Sequence, residues 1–235
     1  MSQIYHTTVK HDRRTFQMSA VGDDAQTTAW KCGTFYEWRL LKEIARRELK
    51  GTYVDVGANF GNHSVFFGNF CPADRVIAIE PFEETQRSLI ENLKRHVPNS
   101  TLLSFAVSDR STTASMHLTA AGQLGSARIK TLGEGSVIVK TLDELLKDVP
   151  NIVVIKIDIE GREVAAIAGG MQIIKKHRPL IVAECFRQHA DAPNDFDAIN
   201  ALLGPIGYVS DGVNWCVSRT CIWTCAKKGH CGDNC

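Results

Sequence analysis

The stretch GTYVDVGANFGNHS, residues 51–64, changes from a strand pattern to a helix pattern within a few residues, and it decides the fold. Residues 51–56 favour a buried strand, and Gly57 and Gly61 mark the turn that follows. Glycines at such a turn let the backbone approach a ligand closely, and the next helix points its first amide donors at that ligand. The stretch therefore predicts a strand, a ligand-binding turn and a helix in succession.

Beyond this unit the chain keeps alternating between strand and helix patterns. The strand patterns are RVIAIE, TLLSFAVS, SVIVKT, NIVVIKIDIE and RPLIVAEC, and helix patterns such as EETQRSLIENLKRH and EVAAIAGGMQIIKKH lie between them. Strands made almost entirely of Val and Ile and separated by helices are typical of a parallel sheet covered on both faces. We expect a Rossmann-like, doubly wound α/β fold with a mostly parallel, seven-stranded sheet.

The C-terminal part departs from this alternation. YVSDGVNWCV and TCIWTCAKK predict an antiparallel hairpin added to the parallel sheet. The tail CIWTCAKKGHCGDNC offers thiol and imidazole groups, but it lacks the C-x2-C pairs of standard zinc sites. We expect Cys221 and Cys225 to lie in or beside the last strand and residues 227–235 to form a mobile, Cys-rich tail, with zinc binding as the alternative.

The N-terminal part is expected to add little to a single main domain. Residues 1–33 are polar and weakly periodic, which predicts an irregular arm or lid. The segment TFYEWRLLKEIARRELK predicts an amphipathic helix with Thr34 as its N-cap and Gly51 as its stop. Because 235 residues without a repeat or linker suit one α/β domain, the main domain is expected to span residues 34–226.

The charge balance limits the partners of the chain. Its 27 basic and 26 acidic residues leave a formal charge of +1, so no strong field attracts nucleic-acid phosphates or an anionic membrane. The N-terminal stretch MSQIYHTTVKHDRRTF has no apolar core of signal-peptide length, and no uninterrupted run of 18 apolar residues occurs. We expect a cytoplasmic protein that acts on a small molecule or a neutral polymer, without a nucleic-acid or membrane partner.

The strand ends indicate which cofactor the fold holds, because ligands of open parallel sheets lie beyond the carboxyl ends of the strands. Glu80 ends the second strand, about 20 residues past the glycine turn, where a carboxylate accepts hydrogen bonds from ribose hydroxyls. The turn lacks the third glycine that a dinucleotide pyrophosphate requires. Asp55 suits a cofactor with positive charge, such as the ammonium and sulfonium of S-adenosylmethionine (SAM). The residues therefore favour SAM over NAD.

Several segments together resemble a known family. YVDVGANFGNHSVFF, VIAIEPFEET, FAVSD, VKTLDELL and VIKIDIEGREVAAIAGG are similar to motifs of the FkbM family of class I SAM-dependent methyltransferases, over roughly residues 34–185. The resemblance implies O-methylation of a hydroxyl on a sugar, a glycan or a natural product. By motif position it also implies contacts with SAM: Asp55, Gly57, Ala58, Asn59, Gly61, Asn62, His63 and Ser64 around the methionine part, Glu80 at the ribose, Phe82 beside ribose or adenine, and Ala106 at the adenine.

The end of the fourth strand, in KIDIEG, supplies the predicted reaction centre. A hydroxyl must lose its proton as it attacks the methyl group, so a nearby base or an acidifying metal is required. Asp158 is the predicted base, and strand alternation places Lys156 and Glu160 on the same side. His63 is a further possible base, although lining the SAM pocket is its expected role.

Glu184, at the end of the next strand, and His189 just after it are expected to complete the cluster. Carboxylates and an imidazole at Asp158, Glu184 and His189 suit Mg²⁺ or Mn²⁺, which prefer hard donors. The alternative is a site without metal, in which Glu160 caps the following helix and Glu184 pairs with Lys156.

The substrate contacts are the least specific predictions. Tyr36 and Glu37 lie where members of the family often carry an aromatic residue and a Glu near the pocket; alternatively, Phe35 and Trp38 belong to the core and Glu37 is solvated. Residues 109–136 form the region where such enzymes differ. The predicted substrate contacts in that region are Gln123, Ser126 and Arg128.

Three other functions agree less well with the sequence. An NAD-dependent oxidoreductase needs a third glycine and a hydride-relay pair that the sequence does not show. A nucleic-acid base N-methyltransferase is expected to carry an Asn- or Asp-Pro-Pro-aromatic motif where residues 158–161 are Asp-Ile-Glu-Gly. A SAM-binding docking module without activity has no need for charges at the ends of apolar strands, where burial is costly. Catalysis is therefore favoured.

Overall fold

The protein was analysed as a computed structural model that describes residues 3–118, 127–185, 195–211 and 220–225. Its strands are β1 (Tyr5–His11), β2 (Arg14–Ala20), β3 (Gly51–Val56), β4 (Ala73–Ile79), β5 (Ser100–Leu103), β6 (Ala106–Val107), β7 (Thr112–Leu118), β8 (Ala127–Leu132), β9 (Val137–Lys140), β10 (Ile152–Ile157), β11 (Leu180–Glu184), β12 (Tyr208–Ser210) and β13 (Thr220–Cys225). Its helices are α1 (Ala25–Lys31), α2 (Trp38–Arg46), α3 (Asn62–Phe70), α4 (Glu83–His96), α5 (Leu142–Leu146), α6 (Glu163–Ala168), α7 (Met171–His177) and α8 (Asp195–Leu203), and a short 3-10 segment spans Gly204–Ile206.

The central sheet confirms the predicted doubly wound fold. Its strand order is β12-β13-β11-β10-β3-β4-β5. β3, β4, β5, β10 and β11 pair in parallel, whereas β13 is antiparallel to both β11 and β12. Cys221 and Cys225 lie in β13, as predicted, and residues 227–235 fall outside the described part. The C-terminal hairpin is thus the antiparallel edge of an otherwise parallel sheet.

Successive side chains of the central strands feed two separate cores. Tyr53 packs on one face of β3 with residues of α2, α3 and α4, while Val54 and Val56 pack on the other face with residues of α5 to α8. The period of two along a strand produces this division, and helices on both faces explain why the strands are almost wholly apolar. Polar side chains such as Asp55 and Lys156 are exceptions within these strands, which marks the site.

The N-terminal segment is regular, so the prediction of an irregular arm over residues 1–33 is wrong. β1 and β2 form an antiparallel hairpin, and α1 begins after Asp24, whose side chain accepts a hydrogen bond from the backbone of Thr27. Phe16 and Trp30 are fully buried in the core shared with α2, α3 and α4. The polar residues that suggested an arm lie on the solvent side of a hairpin whose other face is packed.

Two buried asparagines hold this segment on the core. The Asn92 side chain accepts from the Ser19 backbone N–H at 2.8 Å and donates to the carbonyl oxygens of Ser19 and Phe60. The Asn62 side chain accepts from the Trp30 indole at 2.9 Å and from the Tyr36 backbone N–H at 2.9 Å. Both amides cross-link backbone far apart in sequence, which no local pattern can reveal.

The helix predicted from Thr34 begins later. α2 starts at Trp38 and ends at Arg46, and Glu37 precedes it in a left-handed conformation with φ of 56°. Asn62 binds both the N–H and the carbonyl oxygen of Tyr36, which fixes this residue outside the helix. Thr34 is therefore not the N-cap. Gly51 does not stop the helix either, because it is the first residue of β3.

A second, smaller sheet covers one end of the site. It has the strand order β6-β9-β7-β8. The predicted strand TLLSFAVS is divided, since β5 stays in the central sheet while β6 pairs with β9. Residues 109–136, expected to be less regular, contain the whole of β7 and β8. Within the described part of the chain, every helix is too short or too polar to cross a bilayer.

Candidate active site

The carboxyl ends of the central strands open into a cavity with two adjoining compartments. The first, called here the apolar compartment, is lined chiefly by Val56, Ile79, Ala106, Val107, Met116 and Ile129. The second, called the acidic compartment, is lined by Asp23, Asp24, Gln26, Tyr36 and Glu184 among others. Gly57, Asn59, Asp158 and Glu160 line both compartments.

Glu80 is the buried acidic residue of the apolar compartment. Its carboxylate accepts hydrogen bonds from the backbone N–H groups of Asn59 and Phe82, both at 2.9 Å. Burial raises the pKa of Glu80 to about 7, although these bonds oppose the shift. Ala106 lines the same compartment, as predicted from its strand end, whereas Phe82 lines a neighbouring surface groove with Pro81.

Met116 and Ile129 also line the apolar compartment, although no pattern in the sequence indicates either of them. They come from β7 and β8 and are directly paired across these strands. Short, mostly polar strands surround them, so the alternation of side chains gave a weak signal. The small sheet therefore supplies an apolar wall that cannot be read from the strand ends alone.

The turn after β3 brings its backbone, more than its side chains, to the cavity. Gly57 has φ of +77°, and a Cβ there would lie 1.8 Å from the Asp158 carbonyl oxygen. Asn59 lies at φ of 48° and donates through Nδ2 to Asp24 at 2.7 Å. Ala58, Asn62, His63 and Ser64 are buried behind the turn, and Gly61 forms the N-cap of α3.

Asp55 and Lys156 form the buried base of the site. The Ser64 hydroxyl donates to Asp55 at 2.7 Å, and the Lys156 ammonium lies 3.6 Å from Asp55 and 3.2 Å from Asp158. Burial by itself would lower the pKa of Lys156, but the charges of Asp158, Asp55 and Glu37 outweigh it and raise the pKa. The structure thus gives Asp55 a cationic partner within the protein, and Lys156 pairs with Asp158 and Asp55 rather than with Glu184.

Glu37 and His63 form a second buried pair. The two side chains are 4% and 1% exposed, and His63 Nε2 lies 2.9 Å from the Glu37 carboxylate. Phe35 is fully buried, but Trp38 is 42% exposed. Of the two interpretations of this segment, neither is complete: Glu37 is not solvated and Trp38 is not in the core. Tyr36 does line the acidic compartment.

Three carboxyl groups converge at the entrance to the acidic compartment. One oxygen each from Asp158, Glu160 and Glu184 lie within 4.8 Å of one another. Burial raises the pKa of Glu184 to about 10, and the charge of Asp158 adds to the shift. Glu184 is therefore protonated at neutral pH and shares a hydrogen bond with Asp158, which is in contact with the Lys156 ammonium.

Glu163, rather than Glu160, stabilises the turn before α6. Its carboxylate accepts from the backbone N–H groups of Ile159 at 2.8 Å and Gly161 at 3.0 Å, and burial raises its pKa to about 7. Glu160 instead has φ of 61° and lines both compartments. The expected capping role of Glu160 is wrong because the backbone N–H groups of the turn donate to Glu163 instead.

Some predicted site residues lie outside what the structure describes. His189, Gln123 and Ser126 are not in the described residues. Arg128 lies in β8 opposite His117. Of the predicted metal ligands Asp158, Glu184 and His189, the structure therefore describes the two carboxyl groups. Glu160 has an oxygen within 4.8 Å of both.

Comparisons with known proteins identify the family of the chain. The methyltransferase FkbM domain matches residues 55–210. The chain is 32% identical over 148 residues to the hexuronic acid methyltransferase AglP of Haloferax volcanii, a match that covers 61% of this chain and 59% of the relative. A similar fold is found in methyltransferase FkbM of Methylobacillus flagellatus, with a TM-score of 0.53, 21% identity, and 75% of this chain and 44% of the other covered.

A second solved structure extends the similarity of fold. The precorrin-6y C5,15-methyltransferase of Geobacter metallireducens has a TM-score of 0.50 and 19% identity, with 88% of this chain and 97% of the other covered. Both structural matches bear on the fold alone. The sequence matches span less than two thirds of the length of AglP.

Proposed function

The chain belongs to the FkbM methyltransferase family, and from this premise we propose that it uses SAM to methylate a hydroxyl group of a sugar, a glycan or a natural product. Methyl transfer follows from the family; the cofactor, the kind of acceptor atom and the acceptor class are the proposed part. The observation that carries the proposal is the adjoining pair of compartments, one suited to a nucleoside and one holding Asp158 next to it.

The apolar compartment fits the nucleoside of SAM. Its aliphatic walls at Ile79, Ala106 and Ile129 suit the faces of an adenine ring. The buried carboxylate of Glu80 suits ribose hydroxyls, because a carboxylate has further lone pairs beyond the two backbone bonds it accepts. When bound, SAM supplies a methyl group on positively charged sulfur, and the carboxyl groups of the acidic compartment complement that charge.

Asp158 is the proposed base. It lines both compartments, so a hydroxyl in the acidic compartment can approach it from the side opposite the nucleoside. Lys156 and protonated Glu184 both donate to Asp158, which orients its carboxylate. We assign Lys156, Glu160 and Glu184 to holding Asp158 and the acceptor, and the Glu37 and His63 pair to supporting Lys156 from behind.

The same charges favour a reaction without metal. Three converging carboxyl groups resemble the oxygen ligands of Mg²⁺ or Mn²⁺. However, the Lys156 ammonium already neutralises Asp158 at 3.2 Å, which weakens the attraction of a divalent cation. Turnover that EDTA abolishes and Mg²⁺ or Mn²⁺ restores would reverse this part of the proposal.

The relative supports a saccharide as the acceptor. AglP acts, by its name, on a hexuronic acid, so a family member of related sequence modifies a sugar. The formal charge of +1 does not favour nucleic acid. We therefore place sugars and glycans first among the acceptors and natural-product hydroxyls second.

The test combines product identification with a matched pair of variants. Methyl-labelled SAM is incubated with the protein and an extract of the source cells, and labelled products are identified by mass spectrometry. Asp158→Asn is expected to lower turnover by about a thousandfold while the affinity for SAM stays within about threefold, as for loss of a general base. Asp109→Asn, at a half-exposed carboxylate outside the cavity, is the control and keeps the wild-type rate.

Two outcomes would contradict the proposal. If Asp158→Asn retains the wild-type rate, Asp158 is not the base. If SAM binds but no hydroxyl in any extract or sugar panel is labelled, the chain is better explained as a SAM-binding docking module. Binding of NAD in place of SAM would instead favour the oxidoreductase.

A further inference from the structure

The wall of the acidic compartment that faces away from the sheet comes from the N-terminal segment. Asp23, Asp24 and Gln26, at the start of α1, line it. These residues lie before residue 55, where the match to the family domain begins. The walls of the apolar compartment, in contrast, come from residues 56–162, inside the matched range. One half of the cavity is therefore built by the family domain and part of the other half by a segment added to it.

Two buried side chains on this wall have an oxygen that lacks a donor. Gln26 is 6% exposed and Asn59 is 9% exposed, and among the described residues neither Gln26 Oε1 nor Asn59 Oδ1 accepts a hydrogen bond. The bond from Asn59 Nδ2 to Asp24 fixes the Asn59 amide, so its oxygen cannot turn away without losing that bond. A buried acceptor without a donor costs about 1–3 kcal/mol. A ligand whose O–H groups reach these two buried oxygens would remove that cost at both positions.

The charge of the compartment limits which ligand it can be. Five of the described lining residues are acidic, at positions 23, 24, 158, 160 and 184, and none is Lys or Arg. Two of these carboxyl groups contact a cation: Lys31 lies 2.6 Å from Asp23, and Lys156 lies 3.2 Å from Asp158. Glu184 is protonated, so a carboxylate or phosphate on the acceptor would meet the carboxyl groups of Asp24 and Glu160 and the two unpaired acceptor oxygens, whereas hydroxyl groups would donate to both.

We propose that Gln26 and Asn59, held by Asp24, select the acceptor, and that the acceptor is an uncharged polyol without carboxylate or phosphate groups. This inference rests on the proposed function, since it names the substrate class of the same site. It sets the chain apart from AglP, whose name specifies a hexuronic acid. The N-terminal segment then serves as the specificity element, while the family domain binds the cofactor.

The test uses two glycosides that differ only in charge: methyl glucoside and the corresponding methyl glucuronide. Their binding to the protein loaded with S-adenosylhomocysteine (SAH) is measured by saturation-transfer NMR at pH 7.5, independently of turnover. The neutral glycoside is expected to bind at least about tenfold more tightly, because the glucuronide adds like-charge repulsion. Equal or tighter binding of the glucuronide, or no binding of the neutral glycoside, would overturn the inference.

Substitutions at Gln26 locate the effect. Gln26→Leu keeps the volume but removes the acceptor oxygen, so binding of the neutral glycoside should fall about tenfold. Gln26→Lys adds a cation and should shift the preference toward the glucuronide. The same two substitutions at Gln17, an exposed residue of β2, are the controls and change neither affinity.

The affinity for SAH separates this inference from the proposed function. It is measured by calorimetry and should be unchanged in both Gln26 variants. If Gln26→Leu weakens SAH instead of the glycoside, Gln26 serves the cofactor and the inference fails while the proposed function stands. A wild-type protein that does not bind SAH contradicts the proposed function itself.

Discussion

The two compartments of the cavity are formed in different ways. In the apolar compartment, a single buried carboxylate at Glu80 is held by two backbone N–H groups, and the remaining walls are mostly aliphatic. In the acidic compartment, residues from five parts of the chain meet, including α1, the turn after β3 and the end of β11. A side chain that backbone N–H groups hold in place can be found from a sequence motif. A compartment formed by side chains that are distant in sequence cannot.

The largest expected effect lies beneath the acidic compartment. Lys156→Met removes the cation between Asp55 and Asp158 and leaves the fully buried Asp55 carboxylate without it, so the free energy of unfolding should fall by about 3–5 kcal/mol. The matched control is Lys140→Met, at an exposed ion pair with Glu144, which should cost less than about 1 kcal/mol. Urea denaturation at pH 7 measures both variants. If the two variants lose the same free energy of unfolding, the buried contacts of Lys156 stabilise the protein no more than an exposed ion pair does.

A smaller effect is expected in the apolar compartment. Glu80→Gln replaces one acceptor oxygen by an amide that cannot accept from Asn59 or Phe82, so the affinity for SAH should fall about tenfold. Glu83→Gln, on the exposed start of α4, is the control. Because the pKa of Glu80 is raised to about 7 and the ionised form accepts ribose hydroxyls, wild-type affinity should rise between pH 6 and pH 8. A Gln variant with the same pH dependence would exclude Glu80 as its source.

The smallest effect concerns Glu184, the carboxyl group of the acidic compartment that is protonated at neutral pH. Its pKa of about 10 in the folded state lies above the ordinary value of 4.5, so the folded state binds a proton that the unfolded state releases. Stability from this group therefore falls as pH rises above the unfolded pKa.

Glu184→Gln keeps a hydrogen-bond donor for Asp158 and removes this proton linkage. The variant should be more stable than the wild type by about 1 kcal/mol at pH 8, with a smaller gain at pH 5. Thermal unfolding at the two pH values checks this. A variant that is destabilised at pH 8 would show that Glu184 is ionised there. The control, Glu144→Gln, lacks the effect because its carboxylate is exposed and its pKa is lowered.

The sequence contains enough to predict the sheet and the position of the site. Runs such as VVIKI and LIVAE are apolar because both faces of their strands are covered, and the strand-end rule located Glu80, Asp158 and Glu184 correctly at one edge. Lys156 contacts Asp158, as strand alternation indicated, but the alternative in which it pairs with Glu184 was wrong at the level of register. β10 and β3 pair so that Lys156 lies opposite Asp55, and that register is a property of the assembled sheet.

The parts that could not be predicted depend on contacts between distant residues. The start of α2 is set by Asn62, and the place of Asp24 in the site is set by Asn59, 35 residues away. Residues 5–20 gave a weak pattern because their hairpin buries only part of one face. Local periodicity depends on a single helix or strand. It therefore cannot predict the role of a side chain that is set by a contact with a different helix or strand.

The close contact at Gly57 has a practical consequence for enzyme engineering. Since a Cβ at this position would lie 1.8 Å from the Asp158 carbonyl oxygen, the cofactor turn and the strand end that carries the base touch through their backbones. Libraries that aim at new acceptors should therefore leave residue 57 unchanged and diversify Asp23, Ala25 and Thr28, which are exposed and line the acidic compartment. Catalytic competence and acceptor choice then become separately adjustable properties of one scaffold.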